Sequence, residues 1–246
     1  MVKKLIVILG PTSSGKSELA VKLAKKLAPY RNEVSGAGFN GVEIISADSR
    51  QVYQGMDIGT GKVTKKEMRG IPHYLLDVAS PKRRFTVVQY RKLAIIAINK
   101  IFKKGKVPIL CGGTGFYIQA VVDGIIIPKV KPDWKLREKL EKKTTKELFN
   151  KLKKLDPKRI KTIDKNNRRR LIRALEIVMK TKKPVPAFKI NPLPYPVLML
   201  GIKKEKEELK KLINKRLLRR LKNGMVEEVK KLHKSGVSWK RLEEFG

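Results

Sequence analysis

Residues 10–17 read GPTSSGKS and follow directly on the apolar run LIVIL of residues 5–9. A strand that runs into G-x-x-x-x-G-K-[ST] and then opens a helix constrains the fold more than any other local pattern. The glycines permit the tight turn, and the first helical N–H groups are left pointing at an anion. The amphipathic stretch carrying Leu19, Leu23 and Leu27 supplies that helix. A di- or triphosphate is therefore expected on Gly10, Pro11, Thr12, Ser13, Ser14, Gly15, Lys16 and Ser17. Lys16 would neutralise phosphate charge, and the Ser17 hydroxyl would hold Mg2+.

Beyond the loop, short apolar runs alternate with amphipathic stretches, the pattern of a parallel α/β sheet flanked by helices. Strands are expected at 4–9, 43–46, 73–78 and 107–111, and helices at 16–27, 87–103 and 116–122. The stretch 28–41, rich in Gly and Asn, reads as a loop. From Pro128 the sequence turns into charged helical segments, 134–155 and 166–180. Pro184, Pro186, Pro192, Pro194 and Pro196 then mark a return to a strand at 197–202 and helices at 205–222 and 226–234. A final strand needs a sheet to join. The order thus implies an α/β core begun by residues 1–127, a basic helical insertion at 128–187, and a return to the core at 188–246.

Lys and Arg number 59 against 22 Asp and Glu, a formal charge of +37, concentrated in 129–183 and 203–234. Such an excess fits a polyanionic partner, although lysine enrichment from genome composition or heat adaptation gives the same count. No apolar run approaches the ~18 residues of a membrane span, and the N-terminus opens a strand, not a signal peptide. With Cys111 the single cysteine, no intrachain disulfide exists, and a reducing cytoplasm is expected. His73 and His233 are far apart and carry no paired chemistry. Cys111 reads as core filler, and Tyr53, Phe116 and Tyr117 as packing residues or base-stacking platforms.

Asp48 ends the apolar run IISA at the carboxyl edge of a strand, where open α/β sheets place their ligands. A carboxylate there can be a Walker-B-like metal ligand or a general base, and residue chemistry does not separate the two. Six ordered blocks narrow the choice: GPTSSGKS, EIISADSRQVYQGMDIGTGK (43–62), GIPHYLLDV (70–78), VPILCGGTGFYIQAVVDG (107–124), NNRRRLIRALEI (166–177) and NGMVEEVKKL (223–232). Together they resemble the tRNA dimethylallyltransferases.

That resemblance implies a P-loop NTPase-like fold and transfer of a dimethylallyl group from dimethylallyl diphosphate to N6 of adenosine 37, next to the anticodon. The loop, though it looks like an ATP- or other nucleotide-binding site, would hold the donor's diphosphate with Mg2+ on Ser17. Asp48 would accept the N6 proton, Thr114 would sit near N6 and the bridging oxygen, and Lys16 and Arg216 would face the diphosphate. Ser49, Arg50 and Gln51 would contact tRNA around the flipped adenosine, together with Asp48 and Thr114. Arg137, Arg169, Arg170, Leu171, Ile172 and Arg173 would touch the anticodon stem-loop from the insertion. A monomer is the family-like expectation. Against the family pattern, this chain carries extra residues before Glu43, and it stops at Gly246 where relatives continue with a Gly-Tyr segment and further basic helices. Prenyl transfer to free AMP or ADP, a P-loop kinase and a non-catalytic tRNA-binding fragment are the competing expectations.

Overall fold

A computed structural model describes residues 3–27, 40–128, 130–187 and 189–245, so most of the expected loop at 28–41 lies outside the described residues. In chain order the elements are β1 (Leu5–Leu9), α1 (Lys16–Lys26), β2 (Val42–Ser46), α2 (Lys65–Met68), β3 (His73–Tyr74), α3 (Val87–Lys103), β4 (Val107–Gly112) and α4 (Gly115–Val122). They are followed by α5 (Trp134–Glu141), α6 (Thr145–Leu155), α7 (Pro157–Ile160), α8 (Arg168–Thr181), β5 (Val197–Gly201), α9 (Lys206–Lys222), α10 (Met225–Lys234) and α11 (Trp239–Glu243). The chain divides into two compact units, one of Met1–Ile125 with Asn191–Gly246 and one of Ile126–Ile190.

The first unit is an α/β layer structure around a sheet of order β3-β2-β4-β1-β5 in which every pairing is parallel. Alternation along the strands gives each face its own core. Leu5, Val7, Ile45 and Leu110 pack with Tyr90 and Ile98 of α3 and Tyr117 of α4. Ile8, Ile44 and Ile109 pack with Ala20, Val21 and Ala24 of α1 on the other side. Burial on both faces is why β1, β2 and β4 read as nearly unbroken apolar runs. Tyr90 and Tyr117 stack at 3.8 Å, and the buried Tyr90 hydroxyl donates to the Ser46 carbonyl at 2.9 Å. That bond fixes the last residue of β2, just before Asp48.

Two expected elements differ. The strand expected over 73–78 ends at Tyr74, because Leu75 and Asp77 take left-handed backbone conformations, φ 63° and 57°, which no strand can contain. The single helix expected over 134–155 is two, since Thr144 caps α6 by accepting from the Glu147 amide while the Glu147 side chain accepts from the Thr144 amide.

The second unit is helical. Leu140 of α5, Leu148 and Leu152 of α6, and Leu171, Leu175 and Val178 of α8 form its core. Glu176, fully buried, accepts from the Asp133 amide (2.6 Å), from Arg137 Nε and Nη2 (2.9 and 2.7 Å) and from Arg173. Burial alone would raise the Glu176 carboxyl, but these donors outweigh it and hold the group below its ordinary value.

Candidate active site

The carboxyl ends of β1, β2 and β4 lie side by side, and each delivers one part of the site. At the end of β1 the phosphate loop turns through left-handed Ser13 and Gly15, φ 63° and 88°, so that α1 starts with its amides facing the turn. The Ser13 and Ser14 hydroxyls are buried and have no hydrogen-bond partner among the described residues. Buried polar atoms are rarely left unmade, so these two suit a ligand that brings acceptors. Lys16 Nζ donates to the Pro11 carbonyl at 3.0 Å, and a Cβ placed on Gly113 would stand 3.6 Å from it. Burial lowers the Lys16 pKa and Arg216 lowers it further, while Cys111 and Asp48 pull it up.

At the end of β2, Asp48 organises its own turn. Its Oδ1 accepts from the Arg50 amide at 2.8 Å and the Gln51 amide at 3.4 Å, and its Oδ2 accepts from Gln51 Nε2 at 3.4 Å. The end of β4 is sewn to this turn. Ala47 N–H donates to the Cys111 carbonyl (2.8 Å), Thr114 N–H donates to the Ala47 carbonyl (3.1 Å), and Ser49 N–H donates to Thr114 Oγ1 (2.9 Å). The two backbones come so close at Gly112 that any Cβ there would run into the backbone of Ala47. Cys111 lies beneath the phosphate loop with its thiol pushed by burial up to about 12, which makes it inert.

A third segment, 57–62, joins these parts to α9 and α10. The Gly61 carbonyl accepts from Gln51 Nε2 (3.3 Å) and from Arg216 Nη2 (3.0 Å), and the Gly59 carbonyl accepts from Arg220 Nη1 (2.9 Å). Three consecutive amides, Asp57, Ile58 and Gly59, all donate to the Glu228 carboxylate at 2.8, 2.7 and 2.9 Å. Buried Lys62 closes the segment by donating to the Tyr53 carbonyl (2.8 Å), to Asp57 (2.5 Å) and to Asp77. A cavity of about 250 Å³, lined by Ser17, Glu18, Val21, Gly61, Val63, Glu67, Arg69 and Arg216, opens beside the first turn of α1. Lys16 feels the charges of both Asp48 and Arg216, so the three share one neighbourhood.

Sequence reasoning named Lys16, Ser17, Asp48, Thr114 and Arg216 but missed Lys62, Glu228 and Arg220. Arg220, four residues after Arg216 on one helix, was the readable one of the three. Other expected residues have structural partners. Arg50 donates to the Glu244 carbonyl at 2.9 Å and lies over the Phe245 ring, so it holds α11 against the Asp48 turn. Tyr53 and Tyr117 are packed in the core. His73 bonds the Ile71 carbonyl and His233 stacks on Trp239.

In the second unit the expected tRNA contacts separate into two groups. Leu171 and Ile172 are buried in the core of this unit. Arg137 and Arg173 are committed to Glu176, and Arg173 also donates to the Val130 carbonyl at 2.9 Å. Arg169 and Arg170 are exposed in the first turn of α8 and make no ion pair among the described residues. Arg168 instead holds the end of α5 through the Glu141 and Lys143 carbonyls, both at 2.7 Å.

Fold and site together define a P-loop α/β protein with a carboxylate, Asp48, and a hydroxyl, Thr114, at the strand ends neighbouring its loop. Comparison with known proteins narrows this class. The family model described as IPP transferase matches residues 51–244. The tRNA dimethylallyltransferase of Acetivibrio thermocellus is 41% identical over 240 residues, 94% of this chain and 72% of that protein. The full-length tRNA isopentenylpyrophosphate transferase of Bacillus halodurans superposes with a TM-score of 0.63 at 38% identity, covering 96% of this chain and 72% of that one. A eukaryotic dimethylallyltransferase captured acting on tRNA superposes at 0.73 with 31% identity, covering 95% of this chain and 56% of the other. The chain belongs to the IPP transferase family.

Proposed function

We propose that this protein transfers a dimethylallyl group from dimethylallyl diphosphate to N6 of adenosine 37 in tRNA, releasing diphosphate. The observation that carries the reading is the joining of Asp48, Thr114 and the phosphate loop at adjacent strand ends, in a chain about 40% identical to tRNA dimethylallyltransferases. In the reaction N6 attacks C1 of the donor, the C–O bond breaks with its electron pair on the diphosphate, and N6 loses one proton.

Each role follows from bonding capacity left over in the fold. Asp48 accepts from the Arg50 and Gln51 side of its turn and keeps lone pairs for the N6 proton. Thr114 Oγ1 already accepts from the Ser49 amide, so its own hydroxyl proton is free to be donated to the bridging oxygen or to orient N6. Lys16 spends one proton on the Pro11 carbonyl and has two for phosphate oxygens. The free Ser13 and Ser14 hydroxyls and the helix amides complete the cradle, and Arg216 faces the same anion.

Ser17, at the start of α1, is the hydroxyl that would hold Mg2+, which when bound offsets charge on the departing diphosphate. One protein hydroxyl with the remaining ligands from phosphate and water is a donor set that Mg2+ accepts. Adenosine must leave the anticodon-loop stack to reach Asp48. Ser49 and Gln51 line the approach, and exposed Arg169 and Arg170 supply phosphate contacts from the second unit. Among the described residues no helix is long and apolar enough to cross a membrane. We take the enzyme to work as a monomer in the cytoplasm, in keeping with its unpaired, buried Cys111.

Unmodified tRNA incubated with dimethylallyl diphosphate and Mg2+ should gain one prenyl mass and release diphosphate. Asp48→Asn should lower kcat by ~10²-fold or more without loss of donor binding. Absence of product with the wild-type chain refutes the reading, and faster prenylation of AMP than of tRNA replaces it.

A further inference from the structure

We propose that Arg220 is a second diphosphate-binding cation, acting beside Arg216 across Gly61. This inference rests on the phosphate-site reading above. Arg216 and Arg220 stand one turn apart on α9, and both guanidinium groups converge on one glycine. The nearest atoms that a Cβ on Gly61 would meet are the Nη2 atoms of Arg220 and Arg216. Two like charges held this close oppose each other. Burial lowers the Arg220 pKa, Arg216 lowers it further, and Asp48 raises it.

Among the described residues no carboxylate is paired with either arginine. Glu228, whose charge Arg220 feels, is occupied by the three amides of Asp57, Ile58 and Gly59. Among the described residues neither arginine makes an ion pair, and each has one bond to a neutral carbonyl, at Gly61 and Gly59. Arg220 Nε is buried and has no partner. Half-buried cations without counterions are costly unless an anion arrives with the ligand. With Lys16 also in the neighbourhood, three cations feel the charge of Asp48, while Glu67, which acts on Arg216, accepts from Thr64 and Glu228 from three amides, an arrangement suited to a diphosphate and unsuited to a neutral ligand.

The arrangement also explains the glycine at 61. The Gly59 and Gly61 carbonyls orient the two guanidinium planes, and a side chain at Gly61 would displace both. Arg216 borders the cavity beside Ser17, and Arg220 reaches Gly61, which lines the same cavity. Arg220 then supports binding of the donor and retention of the product diphosphate, both being anions of the same charge class.

The test is calorimetric binding of inorganic diphosphate to the full chain, with the KM for dimethylallyl diphosphate measured alongside. Arg220→Met should weaken diphosphate by about tenfold, ~1.4 kcal/mol, and raise KM in step. Arg219→Met removes the same charge from an exposed neighbouring position and should change binding by less than about twofold. Arg220→Lys should fall between, because an ammonium keeps the charge but not the planar fork. Equal affinities for wild type and Arg220→Met, or equal losses in Arg219→Met and Arg220→Met, overturn the proposal. Thermal unfolding checks each variant, and if Arg220→Met does not fold, Arg220→Lys decides: wild-type diphosphate binding in that variant overturns the proposal. Prenyl transfer by the wild-type chain is followed in parallel. Its absence sinks the functional reading, whereas transfer with diphosphate binding indifferent to Arg220 sinks this inference alone.

Discussion

Glu228→Ala removes one carboxylate and strands three amides at once, those of Asp57, Ile58 and Gly59. A hydrogen bond to a charged group contributes ~1.5–3 kcal/mol when fully buried, but here the amides are partly exposed and water can replace the lost acceptor. About 1 kcal/mol for each bond is the appropriate scale, a total loss of ~2–3 kcal/mol. For a chain of this size that lowers the melting temperature by about 5–10 °C, read by scanning calorimetry. The same loosening frees the Gly59 and Gly61 carbonyls that orient Arg220 and Arg216, so the KM for the prenyl donor should rise by about tenfold, ~1.4 kcal/mol. Glu228→Gln, which keeps one carbonyl acceptor, should lose about half as much stability. A Glu228→Ala protein that melts within a degree of wild type and keeps its KM would show that segment 57–62 is held by its own glycines and by Lys62, and would refute the reasoning.

Two further outcomes follow from packing and charge. Gly112→Ala drives a methyl into the Ala47 backbone, so it should cost ~1–3 kcal/mol and, by separating Asp48 from Thr114, about 10²-fold in kcat/KM; wild-type melting and turnover would contradict the close approach. The Glu176 carboxyl lies below its ordinary 4.5 in the folded protein, so its stabilising contribution is present above that pH and is lost as pH falls through the folded value. Unfolding free energy should therefore decline with acid below 4.5 in wild type and decline less in Glu176→Gln, which is itself destabilised by roughly 3 kcal/mol at neutral pH; parallel pH profiles would count against the network.

Much of the site was legible because it is local. The phosphate loop and Asp48 each sit at the end of an apolar run, and the run's direction fixes which end of the sheet they occupy. The break between α5 and α6 is also written in the chain, as Thr144 followed three residues later by Glu147. Other features depend on residues far apart in sequence. Nothing around Glu228 announces that its carboxylate meets amides some 170 residues earlier. Nor does an arginine-rich helix reveal that Arg173 turns inward to Glu176 while Arg169 and Arg170 stay outside. Charge patterning identifies a basic surface, but only a buried carboxylate decides which arginines belong to it.

The Gly61 carbonyl has a consequence for the order of events. One oxygen atom accepts from Gln51, which steadies Asp48, and from Arg216, which in the proposed reaction faces the departing anion. On the proposed function, groups acting on the two substrates lean on a common atom, and a shift imposed by one substrate would reach the machinery of the other. In the proposed reaction the affinities for tRNA and for the prenyl donor are then thermodynamically linked. Each substrate should change the binding of the other by the same factor, and Gln51→Ala should bring that factor toward one.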